Sequence, residues 1–547
     1  MVYCDAFVTG GCHSSSIPGD TLKPTHLFPL LVLMTPPACT DSAAPLAPTA
    51  APSLTKVPGS DTTITSCGSS CTTVIAQAAA KFETVRLAAG TFNVNGTIAL
   101  PSNTRVVGAG KTSTIIRQTA SAHVFRAAGS GTSFVTQITV DSMGFRGTGS
   151  GSVAALRAET VQDVRFRWNR ADSIGLVQTD INPSGYANAS AATLSRDVHV
   201  TGNSASGPIG TNTPTIMLAY TRDATVTYDT VTDAANGIVV WGGDANHTQN
   251  GQLGNPRWAR NITIQHNRVL NVGFTGVDYS GAGIMASMGD SVDILNNEVH
   301  GCTDVCLDLE GTLNSNVTGN TASNAGFAVL SSFFFSKNNR FAWNTVTQDG
   351  SYGAILFGLK NESLAENEVS TLVHNNTFSF TGSSGVGMFT KEASESLYFV
   401  NNGITNAVIA MDGCYGQCQY NGYLEITGNT FHFTRNAGVP VIKAGHTWFR
   451  PGHIAGNTFT TTAAQSGAGI HVILNSHPFA TSGDLQRVYS NQIGSFSPSL
   501  IAESSSTTPQ TFHMYDNTGT GPCKRIFTGS TAHTLSVSNS WGAGCVP

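Results

Sequence analysis

The sequence predicts an all-β chain: a right-handed parallel β-helix, a solenoid of roughly 12 to 14 coils with a short N-terminal capping helix. Three observations predict it. Charged residues make up only 11% of 547 while glycine numbers 58, a balance suited to stacked strands and tight turns rather than helices. An asparagine followed by a small or charged residue, and then often by Val or Phe, recurs along the chain. It stands at Asn169, Asn203, Asn267, Asn297, Asn320, Asn344, Asn367, Asn402, Asn429, Asn457, Asn491 and Asn517, with Asp229 once in the same place. Finally, the intervals from Asn297 to Asn367 are 23, 24 and 23 residues and the others lie between 26 and 38, with strand-length apolar runs between turn residues.

One such coil cannot bury its apolar side chains alone. Stacking creates a continuous core, and stacked asparagines can hydrogen-bond along the axis. The longer intervals then read as loops inserted between strands. A leucine-rich repeat has a similar period but needs a regular leucine spacing that is absent here.

Taken in order, residues 1–39 read as an export segment. Leu27 to Met34 is an apolar run too short to span a membrane but suited to a signal peptide, with Lys23 before it and Thr-Pro-Pro-Ala-Cys39 after it. Ala38-Cys39 resembles a lipoprotein cleavage site, which would make Cys39 a lipid anchor, although Pro36 and Pro37 depart from that pattern. Residues before Lys23 read as the product of an upstream start codon. Residues 40–60 are Ala/Pro/Ser-rich and read as a disordered linker, and a single β-helix domain is expected over 61–547. Thr72 to Lys81 is the expected helix, laid over the open end of the stack where bare strand edges would invite aggregation. Gly108-Ala-Gly-Lys-Thr112 imitates the end of a phosphate-binding loop, but the required first glycine falls at Arg105, so the segment reads as a coil turn. The net charge of −5 and the lack of a basic tract argue against nucleic acid as a partner.

The cysteines point to an oxidising compartment, secreted or at the cell surface. Three Cys-x3-Cys pairs, Cys67/Cys71, Cys302/Cys306 and Cys414/Cys418, together with Cys523 and Cys545, read as local disulfides. As a zinc signature they lack histidines at matching spacing, so no metal site is assigned.

The run from Ala88 to Gln118 followed by an Asn-anchored array resembles the pectate-lyase-like β-helix superfamily over roughly residues 61–547. That resemblance implies the architecture and a group containing polysaccharide lyases, glycoside hydrolases, epimerases and phage tailspikes. The motif sets of polygalacturonases and alginate epimerases are not found in the sequence.

Strand residues alternate between core and surface, so aligning the coils predicts what shares the outer wall. Aligning 306–311 with 283–288, 330–335, 354–358, 387–391 and 409–413 places Leu307 and Leu309 inward, with Ala286, Phe333, Leu356 and Phe389 near Leu309. Asp308 and Glu310 then face outward beside Met285, Ser287, Ser332, Phe334, Phe357, Thr390 and Asp412. Asp308, Glu310 and Asp412 are the catalytic candidates. Trp241, Asp278, Tyr279, Phe334, Phe357 and Lys391 are the substrate-binding candidates, the aromatic residues as stacking platforms for sugar rings. Two carboxyls two residues apart on a strand, about 7 Å along it, span the separations used by glycosidases. The Cys302/Cys306 pair would stiffen the turn before Asp308.

Plainer readings attach to the same residues. Asp308 and Glu310 also read as solvated surface carboxylates or as Ca2+ ligands, the phenylalanine run as packing under a loop, Lys391-Glu392 as a surface ion pair, and His266 and His300 as structural. Lys360, Arg340 and Arg450 are the next basic residues to place. An acidic, aromatic wall favours a neutral glycan cut by a carboxylate pair, a glycoside hydrolase or transglycosidase needing no cofactor. A polysaccharide lyase would instead use Tyr279 or Lys391 as base, with Asp308, Glu310 and Asp412 around Ca2+. A non-catalytic glycan-binding adhesin fits the same fold.

Overall fold

A computed structural model describes residues 2–4, 12–14, 56–68, 71–149, 152–207, 213–243, 258–273, 281–333, 336–349, 354–358, 370–383, 386–391, 396–411, 424–444, 452–474, 485–504, 511–527 and 534–538. Contacts divide the chain into two units, Met1–Thr55 and Lys56–Pro547. In the first, Val2–Cys4 and Cys12–Ser14 form an antiparallel pair, and Cys39 lies outside the described residues.

The second unit is a parallel β-helix. Each coil contributes one strand to each of three walls, and within every wall successive strands pair in parallel. The first wall runs from Val57–Ile64 through Phe82–Leu87 and Thr104–Gly108 to Thr534–Ser538. The second wall runs from Gly90–Val94 to Thr518–Gly519, and the third from Ile98–Ala99 to Cys523–Phe527. Among the described residues the second and third walls have sixteen strands each, more than the 12 to 14 coils expected. The excess lies at the start, because the strands Gly90–Val94, Thr114–Gln118 and Gly144–Arg146 all precede the first anchor at Asn169. The first strand also begins before the expected boundary at Asp61: Val57 pairs with Phe82 across an irregularity in register.

First-wall strands alternate buried and partly exposed residues, as a wall with one solvated face should. Their inward side chains, such as Phe166, Val200, Val226, Ile264 and Ile294, stack coil upon coil into one core. The helix Cys71–Lys81 buries Cys71, Ile75, Ala78 and Ala79 and packs on the first strands of all three walls, so it caps the N-terminal end as expected. Cys67 and Cys71 are disulfide-bonded at its start. Residues 109–113 form a turn between two walls, closed by Thr114 Oγ1 accepting from the Ala109 N–H.

From Trp168 to Asp516 the first and second walls are joined by a turn of constant form: one residue with positive φ, then one anchor. The anchor side chains form a buried ladder. Asn297 is representative: its Oδ1 accepts from the backbone N–H and Nδ2 of Asn267, and its own Nδ2 donates to Ile264 O and Asn320 Oδ1. All four hydrogen-bonding capacities of the amide are thereby used, which a buried polar group requires. The anchor after Asn344 is Asn376, whose Oδ1 accepts from the Asn344 N–H, and not Asn367 as the regular spacing suggested. That coil offers two Asn-led motifs, and the ladder uses the one that begins a strand at Thr377.

Asp229 is the exceptional rung. Its Oδ1 accepts from the N–H and Nδ2 of Asn203, but Oδ2, where the other rungs carry a donating amide, is buried without a partner. Burial above all pushes this carboxyl up to about 7, against the opposing effect of the Asn203 hydrogen bonds. Near neutrality it is therefore substantially the neutral acid, whose hydroxyl has the donor capacity an anchor amide supplies.

The residue before each anchor is mostly Gly, Asn, Ser, Asp or His, types that tolerate the left-handed region. In three turns it is Trp168, Tyr228 or Trp343. The left-handed conformation costs such side chains about 1–2 kcal/mol each.

Candidate active site

The third wall differs from the first. Its strands Gly175–Asp180, Asn236–Trp241 and Val305–Glu310 are buried on both faces, or nearly so. Insertions lie at its two edges. On the side toward the first wall, Asp180 is separated from Ser195 and Trp241 from Ala259; on the other, Val272 is separated from Ile284. Part of one insertion is packed down: Ile181, Ala189 and Leu194 cluster with Ala219 and Tyr220, and Met217, Trp241 and Trp258 pack against them.

Register assigns the outward positions. The row through Asp308 reads Gln178, Met217, Val239, Met285, Asp308, Ser331, Phe357, Thr390, Ala410, Lys443 and His471. Two residues along, Asp180, Ala219, Trp241, Ser287, Glu310 and Phe333 form a second row. Asp308 and Glu310 therefore share the outer face, with Leu307 and Leu309 in the core.

Asp308 is not solvated. It is 4% exposed, and its Oδ1 accepts a short hydrogen bond from Ser331 Oγ. Burial pushes the carboxyl up to about 7; the Ser331 hydrogen bond opposes the rise, and the nearby charge of Asp304 adds to it. Among the described residues no Lys, Arg or His lies within ion-pair distance of it. Glu310, at the strand end, is half-buried. The arrangement sets a buried carboxyl that retains a proton at neutral pH one alternation from a wetter carboxyl.

Several expected positions shift. The run Leu330-Ser-Ser-Phe-Phe-Phe335 pairs Leu330 with Leu307, so Ser331 and not Ser332 joins the Asp308 row, while Ser332 falls opposite Leu309, buried with its hydroxyl unpartnered. Phe333 falls opposite Glu310 instead of beside Leu309, and Leu356 and Phe389 belong to the Leu307 row. The serine–phenylalanine run has no alternation, and a one-residue slip exchanges the two faces. Phe357 keeps its expected row, but Lys391 pairs with Gly358, one position out of step with it. Trp241, expected as an open stacking platform, packs against the cluster of inserted residues.

Asp278, Tyr279, Phe334, Asp412, Lys360, Arg450, Cys414, Cys418 and Cys545 lie outside the described residues. Cys523 is disulfide-bonded. Cys302 and Cys306, expected as a disulfide, are two buried thiols with sulfurs 2.6 Å apart at the corner that leads to Asp308. Burial drives the Cys302 thiol far up from its ordinary range, and both cysteines pack among the apolar side chains of the core. Arg340 belongs to the first wall, where its Nε donates to His374 Nε2. His300 bonds Ser323 and His266 stacks on Tyr228, both structural contacts.

One acidic locus on the same wall escaped the sequence. Glu159 and Asp180 are register partners, both buried, and Arg157 bridges them at 3.1 and 2.5 Å while Arg126 holds Glu159 at 2.6 Å. Its signal is the alternating Arg157-Ala-Glu159, upstream of the aligned coils. Each carboxylate there is neutralised by a guanidinium, which suits a scaffold more than proton transfer.

No family model matches the chain, and no curated protein matches its sequence. Solved structures match at low identity. The N-terminal fragment of gene product 12 of bacteriophage phi29 matches with TM-score 0.40 and 13% identity, over 81% of this chain and 88% of that one. A GH87 α-1,3-glucanase catalytic unit from Streptomyces thermodiastaticus matches with TM-score 0.30 and 13% identity, over 90% and 70%. DFA-IIIase from Arthrobacter chlorophenolicus in complex with GF2 matches with TM-score 0.37 and 12% identity, over 65% and 84%.

Proposed function

We propose that this chain is a secreted polysaccharide-degrading enzyme, a glycoside hydrolase or transglycosidase working on the outer face of the third wall. One observation carries the reading: Asp308 is a buried carboxyl raised to about 7, beside a second carboxyl, Glu310, on the same face. Asp308 in its neutral form would protonate the glycosidic oxygen, with Ser331 orienting the carboxyl. Glu310, the better solvated of the two, would act as nucleophile or activate water. Among the described residues no cation pairs with Asp308, which favours this use, because an ion pair would hold it ionised.

Incubation with a panel of polysaccharides, following new reducing ends and the ultraviolet absorbance of unsaturated uronates, tests the class. New reducing ends without unsaturation are expected, with activity falling as pH rises through about 7, where the acid loses its proton. Unsaturated products abolished by EDTA would overturn the hydrolase in favour of a Ca2+-dependent lyase. No product on any substrate would leave a binding protein.

A further inference from the structure

The turn between the first and second walls carries a separate surface. Trp168, Tyr228 and Trp343 hold its left-handed position at φ 56, 59 and 58°. They are 53, 61 and 59% exposed, so burial does not repay their unfavourable backbone. Each breaks a backbone preference and leaves an apolar ring in water, and violations that folding does not reward mark positions kept for another purpose.

Their spacing is regular. Tyr228 stands two coils beyond Trp168, with Gly202 between them, and Trp343 stands four coils beyond Tyr228. With strands about 4.8 Å apart, these steps are about 10 and about 19 Å. They correspond to one and two disaccharide advances of an extended β-linked pyranose chain. The intervening residues suit the same purpose. A Cβ at Gly202 would lie 2.5 Å from the Trp168 ring, so the glycine lets the indole rest against the next coil. His266 stacks on Tyr228 from the next coil, with centroids 5.2 Å apart and planes at 12°, and supports that ring from one side. From Trp168 to Asn401 this row carries no carboxylate, lysine or arginine, a match for an uncharged ligand.

The geometry points to a binding ridge for a neutral, extended β-linked polysaccharide, laid parallel to the helix axis across Trp168, Tyr228 and Trp343. It does not depend on the carboxylates of the third wall.

Affinity electrophoresis of the full chain through gels containing hydroxyethylcellulose, xylan or the α-linked control dextran tests it. The chain should be retarded by at least one β-linked polymer and not by dextran. The triple variant Trp168→Asn, Tyr228→Asn, Trp343→Asn should lose that retardation, with at least a tenfold weaker dissociation constant. Asn holds the same position in other turns, so its melting temperature should not fall. Should the triple variant misfold, the three single variants carry the test, each expected to weaken binding at least twofold. Absence of retardation by the β-linked polymers, equal retardation by dextran, or undiminished binding by the folded variants would overturn the proposal.

Discussion

The turn joining the first and second walls and the edges of the third wall are made by the same coils under opposite constraints. At the turn, every coil from Trp168 to Asp516 spends one residue with positive φ and one anchor, whatever its total length. At the edges of the third wall the connection ranges from the single residue between Ala219 and Thr221 to the long insertion between Trp241 and Ala259. Each region holds one buried carboxyl raised to about 7, but with different surroundings. Asp229 replaces an amide in a ladder of hydrogen-bonded asparagines, and Asp308 sits on a wall where the Ser331 hydroxyl meets it. A raised carboxyl is therefore not in itself a functional signature. What distinguishes Asp308 is its place on the variable side, beside a second acid.

Substitutions would sharpen or break this contrast. The largest effect is expected from Asp308→Asn, which keeps the shape of the neutral acid but cannot give up a proton usefully. Activity should fall about 10²–10⁴-fold with little change in melting temperature. Full activity in that variant would end the distinction between the two carboxyls. Next, Asn320→Ala should cost about 2–4 kcal/mol in denaturant unfolding, because it strands the Asn297 N–H and the Ile294 carbonyl in the core. Asp229→Asn should act in the opposite direction, stabilising by about 2 kcal/mol at pH 8, where the restored amide replaces a buried unpaired charge.

That gain should depend on pH. The folded Asp229 carboxyl lies near 7 against an ordinary value of 3.8, so in the window between about 4 and 7 the unfolded chain binds fewer protons. Stability from this group is complete below the lower value and declines as pH rises toward the upper one. The benefit of Asp229→Asn should accordingly shrink at pH 4, as thermal melts at the two pH values would show. The smallest effect is expected from Trp343→Asn, a gain of about 0.5 kcal/mol or none. A loss of several kcal/mol would mean that the indole serves the fold.

The β-helix could be read from sequence because the ladder demands a single side-chain chemistry once per coil, and that demand survives any insertion. Asn367 and Asn376 head similar short motifs in one coil, and the ladder hydrogen bond from the Asn344 N–H identifies Asn376 as the anchor. The outward placement of Asp308 and Glu310 followed from alternation around Leu307 and Leu309. The burial of Asp308 did not, because what encloses an outer wall is built from other coils. The surroundings of Trp241 are hidden for the same reason: the cluster it packs against includes Ile181 and Leu194, from an insertion two coils earlier. Trp168, Tyr228 and Trp343 were visible as aromatic residues directly before an anchor. Their exposure becomes evident only once the left-handed turn fixes which way that position lies.

The fixed turn also acts as a ruler for variation. One extra residue between Thr318 and Thr321, for example, would reverse the parity of the following second-wall strand, sending buried Ala322 outward and polar neighbours into the core. Length changes at the third wall carry no such penalty, since each coil is phased afresh at its next anchor. A lineage carrying this fold is thus free to rewrite what covers Asp308 without renegotiating its core, and sequence divergence should concentrate at those two edges.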